Sequence, residues 1–436
     1  MLLACTCAIS FIGACIGPGP TSIHRLIVAN IFVGVGFAAV PLAYAVPSEI
    51  LPRRWHPSAQ AGINIAALLA NCSAPLVIGA LTTCDAHTGW RYYYVIWFQA
   101  ALWGATTVAI FIGYHPPKRH TDLDHLSLRQ KISSINLTGC GLFTAGLALF
   151  TAGTGLSGGV YSWTNARTLA AMIFGVVTLF TFEIQEWKRA KTGFLNHELF
   201  VVDVTSTDFC PLCCIDIPGG YHAFRLWTFL PDPAAWVPAI VSIVLWGYVG
   251  SRFRTVREPL IIGFILFTAG LVGLSTIQPG QSINAIAFSC LFGIGFGAAL
   301  ALIVTGVQLS TLRVLTATAT ACTTSSRAVA GAMFSAIYTA AFNTRLKNSI
   351  ADFIQALSED DTVTLDEVPG VTPTIIALCI RALRQAYADS FRVVFIIAVP
   401  FGVVACIASC FLGDLSETMN YHVDAPIEVP RKQGRG

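Results

Sequence analysis

From Pro259 to Leu312 the chain contains no Asp, Glu, Lys or Arg. An apolar helix of about 20 residues crosses a bilayer, so this run holds two crossings, folded back at Gln278-Pro279-Gly280-Gln281. A helix that is apolar all round keeps no face for water, and a water-soluble domain has little use for such a run. Composition agrees. Hydrophobic residues make up 55% of the chain and charged residues 11%, against about 25% charged in soluble domains. The expected fold class is an all-α integral membrane protein. A net charge of +3 is too small to indicate nucleic acid. The 14 cysteines are scattered, many of them inside apolar runs, where they read as small apolar side chains rather than a disulfide framework. The compact group Cys210-Pro-Leu-Cys213-Cys214 has no second ligand pair and is a weak metal signal.

Eleven segments are long and apolar enough to cross: 2–17, 26–47, 58–83, 93–113, 136–156, 168–184, 234–250, 259–277, 283–306, 326–343 and 393–412. Basic residues gather at Arg53-Arg54, at Lys118 to Lys131, at Lys188 to Lys191, at Arg252 to Arg257 and at Arg431 to Arg435. Alternate loops such as Asp85–Gly89 and Thr151–Asn165 carry no Lys or Arg. The positive-inside rule therefore puts the basic loops and the C-terminus in the cytoplasm, with the acid-richer loop from Arg345 to Phe391 on the far side. Parity fails once. Lys188–Lys191 and Arg252–Arg257 both belong inside, yet only 234–250 crosses between them; residues 201–230, with Asp203, Asp208, Asp216, Arg225 and Gly219-Gly220, do not suit a lipid-facing helix.

Val33-Gly-Val-Gly-Phe-Ala-Ala39 and Phe292-Gly-Ile-Gly-Phe-Gly-Ala-Ala299 are near copies. With Phe37 set on Phe296, Pro20 falls on Pro279, Glu49 on Gln308 and Arg54 on Arg313. The copies share orientation, as parallel repeats about an axis along the membrane normal do. Glycines also recur wherever membrane helices pack closely, but the matching positions beyond the glycines favour the repeat.

A multi-span chain with parallel halves resembles the major facilitator superfamily. The string Gly89-Trp-Arg-Tyr-Tyr-Tyr-Val-Ile-Trp-Phe-Gln99 resembles the start of the sixth span in fourteen-span drug:proton antiporters, and Tyr114–Arg119 the cytoplasmic sequence that follows it. Ser325–Leu346 and Gly155–Trp163 resemble the fungal trichothecene efflux pump family, close to siderophore transporters. The resemblance implies a major facilitator type helical bundle with 11 recognisable spans of an expected 14. On that pattern residues 1–132 form an incomplete N-terminal bundle (family spans three to six) and 133–200 two extra linker spans. Residues 201–230 replace the ninth span, 231–412 form the C-terminal bundle and 413–436 a cytoplasmic tail. It also implies multi-pass residence, in the plasma membrane or an internal membrane such as the vacuole, and export of a small organic molecule (toxin, drug or siderophore) driven by protons. The family's first two spans, with their acidic residue, find no counterpart here. The alternative is a truncated, non-transporting membrane protein.

Several residues are candidates for substrate contact or gating. Arg327 opens a span; a charge at mid-membrane costs about 2.5 to 3.5 kcal/mol, so it either serves a purpose or reaches out to the interface. Asn64 and Asn71, seven apart, share a helical face, and such amides seek a partner helix or a watery cavity. Asn30 stands where many drug antiporters carry Arg. Trp97, with Gln99 beside it, could line an aromatic wall, although Tyr92 to Tyr94 suit an interfacial belt. Glu49, Arg54, Arg254 and Arg313 are candidates for a cytoplasmic gate. No catalytic cluster, cofactor motif or metal spacing is present, so an enzyme is not expected; the expected partners are a small-molecule substrate, protons and lipid.

Overall fold

The computed structural model describes residues 2–17, 23–83, 90–113, 136–156, 165–188, 233–278, 281–311, 316–359 and 373–421. Among them the chain is helical: α1 (Leu2–Ile16), α2 (Ile23–Gly36), α3 (Ala39–Ile50), a 3-10 turn (Arg53–Trp55), α4 (His56–Thr83), α5 (Trp90–Gly113), α6 (Leu137–Leu156), α7 (Ala166–Lys188), α8 (Pro233–Phe253), α9 (Arg257–Ser275), α10 (Ser282–Ser310), α11 (Thr316–Glu359) and α12 (Pro373–Cys410). All eleven expected segments lie on these helices, and eight stretches are long and apolar enough to cross a membrane. The segment 201–230, the Cys210–Cys214 group and Arg313 lie outside the described residues, as does the Glu49 side chain.

Hydropathy located the spans better than it located the helix ends. The segments expected at 326–343 and 393–412 are parts of helices of 44 and 38 residues. Beyond Asn343 the sequence turns polar (Arg345, Lys347, Asn348) but keeps helix formers such as Leu346, Lys347, Ala351, Gln355, Ala356 and Leu357. Such residues sustain a helix that has left the hydrocarbon. The expected far-side loop from Arg345 to Phe391 therefore begins and ends as helix.

The helices form two groups and a hairpin. In the first, α1 packs on α2, α3 and α5. Next in the chain, α4 touches α3 and α5 while packing more extensively on α8 and α10 of the other group. In the second, α10 runs between α8 and α9, and α12 lies against α9 and α11. The core of the second group is built on Phe264, Phe267, Phe292 and Phe296, with Phe267 and Phe292 ring centroids 4.8 Å apart. Close approach there depends on glycine. A Cβ on Gly293 would sit 2.4 Å from the Ala235 carbonyl oxygen of α8, and one on Gly295 would sit 2.4 Å from the Gly263 oxygen of α9. The α6–α7 hairpin is antiparallel. Asn136 accepts from the Gly139 N–H (3.1 Å), capping α6, and donates to Glu186 near the end of α7 (3.3 Å).

The two repeat copies differ in form. The second is one continuous helix, whereas the first breaks at Phe37-Ala38 between α2 and α3. Gly36 closes on Ser10 of α1, but Gly34 faces open space.

Candidate functional site

The two groups meet along a seam in which α4 packs on α8 and α10, and α3 on α11. Hydrocarbon offers no water to a stranded polar group, so polar side chains buried in the seam must satisfy one another. Gln60 and Asn64, one turn apart on α4, are 0% and 2% exposed. The Tyr44 hydroxyl donates to Asn64 Oδ1 (2.7 Å). Asn64 Nδ2 donates to the Gln60 carbonyl (2.8 Å) and across the seam to the Leu300 carbonyl (3.2 Å). Gln60 Nε2 donates to the Tyr44 carbonyl (3.0 Å) and to Gln308 Oε1 on α10 (3.0 Å). Gln308 Nε2 reaches back to the same Tyr44 carbonyl (3.1 Å) and to the Thr320 hydroxyl of α11 (3.2 Å). The cluster is built of amides, hydroxyls and backbone carbonyls. One acceptor in it, Gln60 Oε1, is buried without a protein partner.

A second layer closes the seam at its basic end. Ser58 and Ser251 join α4 to α8 through hydroxyls 2.8 Å apart, and Ser58 also donates to the Gly247 carbonyl (3.3 Å). Arg54 gathers three elements: its backbone N–H donates to the Asn420 carbonyl (2.9 Å), its Nε to the Ser251 carbonyl (3.4 Å), and its Nη1 to the Tyr421 hydroxyl. The guanidinium carbon also lies 5.0 Å from the centre of the Tyr421 ring. The segment Phe411–Tyr421 thus folds back over the bundle, with Leu412, Leu415 and Met419 buried. The Cys410 carbonyl accepts from Arg257 Nη2 (2.8 Å). Asp414 caps the turn by accepting from the Ser416 N–H (2.9 Å), and the Ser416 hydrogen bonds hold its carboxyl below the ordinary range.

The structure brings only some of the expected residues to this seam. Asn64 is in the cluster and Arg54 in the basic-end layer. Arg327 is buried twelve residues into α11, on the face that carries Thr320 and Thr324, well past the helix start that its place at the edge of an apolar segment had suggested. Asn71 and Asn30 bond to carbonyls of their own helices, at Ala67 (2.8 Å) and Leu26 (2.9 Å). Trp97 is 53% exposed and Gln99 also lies on the outer face of α5. Arg254 is exposed, with φ 55°, in the turn between α8 and α9. Sequence reasoning passed over Tyr44, Gln60, Gln308 and Thr320. The available signals were a glutamine one turn before Asn64, and Gln308 standing opposite Glu49 in the repeat. No group of three His, Cys, Asp or Glu converges among the described residues.

Known proteins place this architecture. The chain matches the fungal trichothecene efflux pump family, TRI12, over residues 2–434. The chain belongs to that family. It is 24% identical to the trichothecene efflux pump TRI12 of Trichoderma arundinaceum over 378 residues, which are 77% of this chain and 62% of that protein. It is 21% identical to the pump of the same name from Fusarium sporotrichioides, over 95% of this chain and 75% of that one. The MFS-type transporter ptmT of Penicillium ochrochloron is 24% identical over 84% of this chain and 66% of its own length. The chain thus spans about three fifths to three quarters of the relatives it resembles. Membership in the TRI12 family, with eight stretches able to cross a bilayer, makes this a multi-pass membrane protein of major facilitator type.

Proposed function

We propose that the protein is a secondary active transporter that exports a small organic molecule, of the toxin, drug or siderophore kind, in exchange for protons. The observation that carries this reading is the seam: a buried cluster of amides, hydroxyls and carbonyls between two helix groups, with a separate closure at the basic end. Rocking two such groups about a central site exposes that site to alternate sides of the membrane. The names of the relatives support the substrate class, since two are trichothecene efflux pumps and another is an MFS-type transporter. In this cycle Asn64 and Arg327 face the substrate path, and Arg54 belongs to the cytoplasmic closure. Asn30, Asn71, Trp97 and Gln99 lie off the seam.

The test is uptake into inside-out vesicles holding this chain, with an imposed inward-acid gradient and a panel containing a trichothecene, a ferric siderophore and a cationic dye. Gradient-dependent accumulation of one compound, reduced several-fold by Asn64→Ala and by Arg327→Ala at equal protein amount, is the expected result. Accumulation that ignores the gradient would remove proton coupling. No accumulation of any compound would remove the transport reading.

A further inference from the structure

The geometry points to the Gln60–Gln308 amide pair as the catch of the seam, a pair of positioning residues that hold the two helix groups closed without using a charge. This deepens the transport reading by naming what keeps the seam shut.

Three hydrogen bonds cross between the groups in the buried cluster: Gln60 to Gln308, Gln308 to the Tyr44 carbonyl, and Asn64 to the Leu300 carbonyl. Gln308 takes part in two of them and is 1% exposed. Its Nε2 also reaches Thr320, so one side chain connects α3, α4, α10 and α11. A run free of charge from Pro259 to Leu312 has little other reason to carry a buried glutamine at its end. Each bond contributes modestly when partners can be exchanged, but an amide left unpaired in a dry interface is costly. A catch of this kind holds while its crossing bonds are made and releases as a unit when the groups part. The unpartnered Gln60 Oε1 costs the closed state and so keeps the catch releasable. It is an acceptor with nothing to accept while the seam is shut, and it becomes available to a donor once the seam opens.

Because amides do not titrate between pH 5 and 8, the catch itself is indifferent to protons. Coupling must act elsewhere, and the catch sets only how readily the seam opens.

The experiment reads closure directly, without transport. Ser58→Cys and Ser251→Cys replace hydroxyls 2.8 Å apart on opposite sides of the seam. In membrane vesicles the rate of oxidative cross-linking at this pair, measured per molecule by mass spectrometry of the linked peptide, reports how often the seam is shut. In that background Gln308→Leu removes two of the three crossing bonds, and the expected result is cross-linking slowed about tenfold. Gln60→Met should slow it several-fold. Thr305→Val is the control: Thr305 is as deeply buried on α10 but bonds only to its own helix, at the Ala301 carbonyl (2.7 Å), and should leave the rate unchanged. Parent-like rates in Gln308→Leu and Gln60→Met would overturn the catch. So would an equal slowing in Thr305→Val, which would mark a general loosening of α10. A protein that fails to transport any compound yet shows the expected pattern would keep the catch and lose the transport reading.

Discussion

At the scale of single residues, the close approaches make the clearest predictions. Gly295 of the second repeat copy and Gly34 of the first both belong to the shared glycine motif, though not at matching positions, and their surroundings differ. A side chain at Gly295 would strike the α9 backbone, with the Gly263 oxygen and Phe267 nitrogen both 2.4 Å from its Cβ, whereas nothing lies within 4 Å at Gly34. Gly295→Leu should therefore cost at least about 1–3 kcal/mol, seen as a lower melting temperature in detergent, while Gly34→Ala should be neutral within about 0.5 kcal/mol. Equal melting temperatures for both variants would show that the α9–α10 contact is not tight. The glycine pattern itself was legible in the sequence. Which glycines are contacts was not, because both copies spell the same motif and only the neighbouring helices tell them apart. Asn64 and Asn71 teach the same lesson: seven-residue spacing put them on one face, but the face changes partners along α4, so one amide meets α10 and the other turns back on its own helix.

At the scale of elements, the least expected feature is Phe411–Tyr421, read from sequence as the last residues of a span and the start of a cytoplasmic tail. Its apolar residues Leu412, Leu415 and Met419 recur at spacings of three and four, as they would on a short amphipathic stretch. The signal was present but brief, and the charges of the following residues hid it. The segment acts as a strap over the seam at the basic end. Leu415→Ala should cost about 2–5 kcal/mol of the strap's packing, the range for a buried leucine. The measurable result is faster protease cleavage between Phe411 and Tyr421, and cleavage unchanged from the parent would detach the segment from the core. Asp414 adds a pH prediction. Its carboxyl is held below the ordinary value near 3.8, so its contribution is complete above that value and disappears only as pH falls through the lower, folded value. Between pH 5 and 8 the cleavage rate should stay flat, and Asp414→Asn should raise it equally across that window. A marked pH dependence there would point to a different titrating group.

At the scale of the whole molecule, the spans were legible because hydrocarbon imposes one length and one composition on every crossing helix. Orientation rests on the basic residues, which the sequence expects to mark the cytoplasmic side. The buried cluster of the seam was not legible, since its amides and hydroxyls are neutral and come from two stretches of the chain far apart in sequence. What the structure adds to the orientation argument is convergence. Arg54, Ser251, Arg257, Cys410 and Tyr421 meet in one layer, so the ends of α8 and α12 and the starts of α4 and α9 share one face of the bundle. If that face is cytoplasmic, α9 carries the chain across. Its 19 residues rise about 28 Å, close to the roughly 30 Å of hydrocarbon, which would put the exposed Gln278 just past its far end near the opposite surface. A cysteine at position 254 should then react with an impermeant reagent only from the cytoplasmic side, and one at position 278 only from the other. Reaction of both from the same side would mean that α9 does not cross, and the two-group arrangement with its seam would have to be redrawn.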